Sequence, residues 1–149
     1  MNISFRWLRA TAVWAFFLVA ICGNIAGQIS RPDLFLQLPH SGAVLDADFS
    51  PNGDYATAGQ DGTVRLWKGD SGLLSVVLNA HAKGAFACRY DPGGKFLATA
   101  GADGHLRVWD TSDFHQVRDF PLKSEVHAVA WSGDGKKLAA LDEIGRAHV

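Results

Sequence analysis

The sequence predicts an all-β repeat fold built from four-stranded antiparallel meanders, and three observations carry that reading. The stretch ATAGQDGTVRLW, residues 56–67, returns as ATAGADGHLRVW, residues 98–109. Aromatic residues recur at a fixed spacing, Phe49, Tyr90 and Trp131 lying 41 positions apart, and self-similarity at that period marks a solenoid, a propeller or an array. Within each copy the side chains alternate with period two, Val64 and Leu66 with Arg65 and Trp67, then Leu106 and Val108 with Arg107 and Trp109, which is strand rather than helix periodicity.

The 149 residues, 48% of them hydrophobic, suffice for one ordinary domain and not for two large ones. Fourteen basic against fifteen acidic residues leave a net charge of −1 with no basic stripe, so nucleic acid is not expected as a partner.

The first segment, residues 1–27, reads as a signal peptide or an N-terminal membrane anchor. Arg6 and Arg9 precede an unbroken apolar run over residues 10–22, which small residues follow. That is the order of a secretory signal, with an apolar helix at its centre and cleavage expected after Ala26 or Gly27. The remainder is then expected outside the cytoplasm, periplasmic or secreted. There Cys88, set in an alternating apolar segment, would have lost Cys22 and reads as a buried, inert thiol. Residues 28–38 read as a linker followed by an outer strand at LFLQL.

The first repeat, residues 39–78, places strands at 44–49, 55–58, 63–67 and 73–78. The second, residues 79–120, places them at 86–90, 96–100, 105–109 and 115–120. Asp61-Gly62 and Asp103-Gly104 each precede a third strand, and such a pair marks a tight hairpin because glycine accepts a positive φ. Pro51-Asn52-Gly53 and Pro92-Gly93-Gly94 mark the turn before it. Val44, Ala47 and Phe49 repeat as Ala85, Cys88 and Tyr90, then as Val126, Val129 and Trp131, the pattern of an inner strand packed between neighbouring sheets.

A fainter third repeat occupies residues 121–149 and stops where its third strand should begin. Leu122 stands at a His position and Ala140 at a Thr position. One back-translation of the terminal IGRAHV matches a common sequencing-library adapter, so residues 144–149 are expected to be artefactual and the sequence a fragment cut inside its third repeat. An incomplete array of about two and a half units leaves its faces poorly covered, and the isolated chain is expected to be partly molten or to associate.

Over residues 34–142 these features resemble the WD-repeat β-propellers, whose four-stranded blades open on Gly-His and close on Trp-Asp. The opening pairs here are Pro39-His40 and Ala80-His81, the closing pairs Trp67-Lys68 and Trp109-Asp110. The resemblance implies a structural tetrad in each blade, His40, Thr57, Asp61 and Trp67 in one and His81, Thr99, Asp103 and Trp109 in the other. The residue types suit a hydrogen-bonded relay, because indole only donates, a hydroxyl and an imidazole do both, and a carboxylate ends the chain.

The same residues could be read as a hydrolase site with Thr57 as nucleophile, or as metal ligands. Duplication argues against both, since an enzyme needs one site and an architectural device recurs with each repeat. Neither a catalytic residue, a cofactor site nor a metal site is expected, and His105, His115, His127 and His148 share no ligand spacing.

By the same resemblance the loops before the first strands and the turns carrying the tetrad Asp are candidates for binding a protein or peptide partner. They supply Ser41, Gly42, Gln60, Lys83, Gly84, Ala102, Ser124 and Glu125. Function-specific differences between the copies are expected at Gln60 against Ala102 and Thr63 against His105. The function expected is that of an exported, non-catalytic interaction scaffold; the alternative is the propeller part of a larger exported enzyme.

Overall fold

The computed structural model describes residues 39–143 and 147–148, which fall in the second of the chain's two units, Phe35–Val149. The expected leader and its apolar helix, the outer strand at residues 34–38, and residues 144–146 and 149 lie outside them. Among the described residues there is no helix, and the strands form three antiparallel sheets.

The first sheet runs in the order β1 (Val44–Phe49), β2 (Tyr55–Gly59), β3 (Thr63–Trp67) and β4 (Leu74–Asn79). The second repeats it with β5 (Ala85–Tyr90), β6 (Phe96–Gly101), β7 (His105–Asp110) and β8 (Gln116–Pro121). The third has β9 (Val126–Trp131), β10 (Leu138–Asp142) and the two-residue β11 (Ala147–His148). Equivalent residues pair in equivalent ways, Thr57 opposite Ala47, Thr99 opposite Cys88 and Ala140 opposite Val129.

Fourth strands begin one residue later than the sequence suggests. The third and fourth strands slip register at Leu66/Trp67 and at Val108/Trp109; each irregularity places two residues of one strand against one of the other and delays the pairing. The hairpins between second and third strands hold three residues, not two. Only the glycine is left-handed, with φ of 80° at Gly62 and 77° at Gly104, and Gly62 closes the turn by donating to the Gly59 carbonyl at 3.0 Å. Asp61 keeps an ordinary backbone, since its carboxylate turns back to accept the Thr63 amide.

Two cores separate the three sheets. Ala56, Ala58, Val64 and Leu66 of the first sheet meet Ala85, Cys88 and Leu97 of the second. Ala98, Ala100 and Leu106 of the second meet Val126, Val129 and Ala140 of the third. The alanines on these faces let neighbouring backbones approach closely, and each sheet buries its apolar face only against the next.

The first sheet departs from the inner-strand expectation on its other side. Tyr90 and Trp131 pack on the preceding sheet's core, but Phe49 at the same position is 73% exposed and Val44 56%. No described residue covers that face. Phe49 instead rests on Tyr55, which stacks on Trp67 with ring centroids 6.0 Å apart.

Carboxylates of β1 hold the second sheet in place. Asp46 accepts the Cys88 amide at 3.1 Å and pairs with the Arg89 guanidinium, while Asp48 accepts the Tyr90 amide at 2.8 Å. At the next junction the Trp131 indole donates to the Arg89 carbonyl at 3.0 Å.

Candidate functional site

Two buried hydrogen-bond chains run through the first and second sheets. In the first, the Trp67 indole donates to Thr57 Oγ1 at 3.0 Å, Thr57 lies 2.9 Å from His40 Nε2, and His40 Nδ1 lies 3.0 Å from Asp61 Oδ1. In the second, Trp109, Thr99, His81 and Asp103 are joined by steps of 3.0, 3.1 and 2.7 Å. The polarity follows from the first member. An indole N–H can only donate, so the threonine oxygen accepts it and gives its own proton to Nε2, which leaves Nδ1–H to donate to the carboxylate. Each imidazole is thereby held neutral.

The carboxylates that end these chains also bind the loops. Asp61 accepts the amides of Ser41 at 2.8 Å and Thr63 at 3.0 Å, and Asp103 those of Ala82 at 3.3 Å and His105 at 3.2 Å. Burial pushes the Asp61 carboxyl up, but hydrogen bonds from Thr63, His40 and the loop amides outweigh it and hold the group well below the usual carboxylate range. At Asp103 burial is outweighed in the same direction by Arg107 and His81. His81 titrates below an ordinary histidine, chiefly because burial disfavours the imidazolium, although Asp103 pulls the other way.

Four participants were not singled out from the sequence. Gly59 and Gly101 adjoin the imidazoles so closely that a Cβ at Gly59 would lie 2.1 Å from His40 Nδ1 and one at Gly101 2.5 Å from His81 Cγ. Thr63 donates to Asp61 at 2.7 Å, so its difference from His105 is structural; His105 turns outward to Asp119 at 2.6 Å. Arg107 supplies the corresponding contact in the second sheet, donating to Asp103 Oδ2 at 2.8 Å and to the Ala80 carbonyl at 2.7 Å.

The third repeat is built otherwise. The Leu122 amide donates to the Gly104 carbonyl at 2.7 Å just as the His81 amide donates to Gly62, which places Leu122 at the His position. Asp142, opposite Val126, stands where Gly101 faces Ala85, and it is buried. With no imidazole there, a side chain fits at that position.

Chemically the chains are closed. The Thr99 hydroxyl is fully buried and committed to both His81 and Trp109, so no substrate carbonyl can reach it. Among the described residues no three His, Cys, Asp or Glu converge as metal ligands. Burial pushes the Cys88 thiol up to about 12, so it stays an un-ionised thiol within the first core.

In an antiparallel meander the loop before the first strand and the hairpin between the second and third lie at the same end. Direct bonds tie them, Gln60 N–H to the Ala43 carbonyl at 2.8 Å, Ala102 to Gly84 at 2.9 Å and Glu143 to Glu125 at 3.0 Å. All eight partner-binding candidates fall on this edge. Ser41, Gly42, Gln60 and Lys83 are exposed, whereas Gly84, Ala102, Ser124 and Glu125 are half-buried. The repeat spacing adds three more residues beside them, Leu45, Phe86 and His127, each the second position of a 41-residue unit. Phe86 and His127 stack with centroids 4.9 Å apart and planes 7° from parallel, and Gly84 lies against both Phe86 and the Gln60 carbonyl.

Comparison with known proteins agrees with this architecture. A family model described as "WD domain, G-beta repeat" matches residues 34–68 and 72–110. Coronin-7 of Rattus norvegicus is 32% identical over 130 residues, covering 79% of this chain and 14% of that protein. Actin-interacting protein 1 of Drosophila melanogaster is 31% identical over 121 residues, 78% of this chain and 19% of its own length. A periodic tryptophan protein 2 homolog of Dictyostelium discoideum is 27% identical over 152 residues, with coverages of 94% and 16%. The chain thus spans less than a fifth of the length of these relatives.

Proposed function

Because the chain belongs to the WD-repeat family, we propose that it is an exported, non-catalytic scaffold holding a protein partner against the loop edge of its sheets. The observation that carries this reading is the row of exposed and half-buried groups on that edge. Leu45, Phe86 and His127 present apolar and aromatic surface at successive repeats, and Gln60, Lys83 and Glu125 surround it with polar groups. An apolar centre with a polar rim is what a peptide-sized contact needs. One of the relatives, Actin-interacting protein 1, names a protein partner, and a protein is the class of partner proposed here. The repetition of the buried chains supports an architectural role for His40, Asp61, His81 and Asp103, since a catalytic site is needed once. Export rests on the charged, apolar and small-residue order of residues 1–27.

The test is a cross-linking comparison in the source organism between the native chain and a Phe86→Ser, His127→Ala, Lys83→Glu variant. A defined adduct lost in the variant, with an unchanged circular dichroism melt, supports the reading; identical adducts from both would reject it. Mass spectrometry of the extracytoplasmic chain is expected to find a mature N-terminus at Gly27 or Gln28.

A further inference from the structure

The second and third sheets part at their outer end and leave an open groove of about 650 Å³. Leu106, Val108 and Phe120 line one wall, Trp131 and Leu138 the other. The junction between the first two sheets shows what such a groove accommodates. There the equivalent residues Val64, Leu66 and Leu78 are covered, with Trp109 and Phe114 packed on their cluster. Leu78, paired with Val64, is 8% exposed; Phe120, paired in the same register with Leu106, is 44% exposed. Trp109 lies in the third strand of the second sheet and Phe114 in the turn after it. In the third sheet β11 pairs only with Ala140 and Leu141. The same edge of β10 at Leu138 and Ala139 has no described strand beside it.

Charge narrows the occupant. Arg118, Lys136 and Lys137 lie among the lining residues, and none of the described residues that line the groove is acidic. The segment in the equivalent place on the second sheet, residues 103–114, carries Asp103, Asp110 and Asp113 against a single Arg107. Its Thr111 clamps the preceding turn, donating its amide to the Lys95 carbonyl at 2.9 Å and its hydroxyl to that of Gly94 at 2.7 Å. Gly135 and Lys136 stand at those positions in the third sheet.

We propose that this groove receives an extended acidic segment of a partner protein, added as a strand beside β10 with an aromatic side chain set over Leu106 and Val108. Strand addition supplies the backbone bonds, the apolar floor selects an indole or phenyl ring, and the basic rim selects carboxylates. The groove lies on strand faces away from the loop edge, so the two proposals stand or fall separately.

A labelled synthetic peptide of residues 103–114 serves as the probe, titrated with the 149-residue chain and followed by fluorescence anisotropy. Saturable binding is expected. A Trp109→Ala change in the peptide, which leaves the protein untouched, weakens it at least about thirtyfold, as loss of a buried aromatic anchor does. Lys136→Glu with Lys137→Glu in the protein, both exposed positions, weakens it about tenfold and flattens its salt dependence. Absence of saturable binding would overturn the proposal, as would equal binding of the Trp109→Ala peptide. So would a sedimenting dimer that excludes the peptide, which would assign the groove to a second copy of this chain.

Discussion

Gly101 leaves no room for a side chain beside His81: a Cβ there would lie 2.5 Å from the imidazole Cγ and 2.7 Å from the Gly84 carbonyl oxygen. The ring is fixed at both nitrogens, by Thr99 and Asp103, so it cannot step aside without breaking the chain. Gly101→Ala is expected to lower stability by about 1–3 kcal/mol, the usual cost of overpacking a filled site. The third repeat suggests the compensation, since Asp142 replaces this glycine where Leu122 replaces the histidine. His81→Leu with Gly101→Asp should therefore cost less than the two single changes summed. Urea melts of the four proteins measure this, and additive losses would show that the two positions are not coupled.

Thr99 is the pivot of the second chain, buried and bonded on both sides. Thr99→Val keeps the shape and removes the hydroxyl, which leaves the Trp109 N–H and His81 Nε2 without their partner. Two buried polar groups so orphaned cost about 2–4 kcal/mol together. The same change at Thr57, which is half-buried, should cost less, because water can replace part of what is lost. Equal losses at the two sites in denaturant unfolding would contradict that ordering.

How much of this was readable beforehand depended on whether a feature repeats. The sheets were readable because alternation, the D-G turns and the 41-residue spacing all recur. Residues 57, 61 and 67 and their counterparts stood out for the same reason, and the hydrogen bonds bring them together with the two histidines. Gly59 and Gly101 recur as well, but a glycine beside a turn has an ordinary explanation, and only the distance to the ring reveals the other one. Thr63 and Arg107 could not be found by likeness, because different positions serve the same carboxylate in the two sheets. Asp46 and Asp48 have no counterparts in the other repeats, so their hold on β5 left no periodic trace. The exposure of Phe49 was hidden for a different reason: a residue pattern records which face a side chain serves, not whether a neighbouring sheet lies against it.

Acid should weaken the fold in two stages. His81 is held below the ordinary histidine range by burial, with Asp103 opposing, and the unfolded chain therefore takes up its proton first. Stability is full above the unfolded value of about 6.5 and declines as pH falls below it, by at most about 1.4 kcal/mol per pH unit for one proton. Asp61 and Asp103 are held low by their hydrogen bonds. Their contribution is present above the unfolded carboxylate value of about 4 and is lost as pH falls further. His81→Gln, which binds no proton in this range, should flatten the first stage and leave the second. Midpoints of urea unfolding against pH test this, and a first stage that survives in His81→Gln would assign it to another histidine.

Phe114 holds a left-handed backbone, with φ of 58°, at the place where the first repeat has Gly72 with φ of 66°. The equivalence is exact in hydrogen bonding, since the Phe114 amide donates to the Asp110 carbonyl at 2.8 Å and the Gly72 amide to that of Lys68 at 2.7 Å. Such a conformation costs a non-glycine residue of order 1 kcal/mol, and it persists because the ring packs against the core between the first two sheets. Phe114→Gly relieves the strain but forfeits that packing, which for a half-buried ring amounts to about 2 kcal/mol, roughly half of a buried Phe→Ala loss. The packing wins, so the glycine variant should be less stable than the native chain by about 1 kcal/mol. Phe114→Ala loses the same packing and keeps the strain, so it should be the least stable of the three. That order reverses the usual one, in which alanine is at least as stable as glycine. A thermal unfolding series of the three proteins in which alanine outlasts glycine would show that the packing of Phe114 does not oppose a strained backbone.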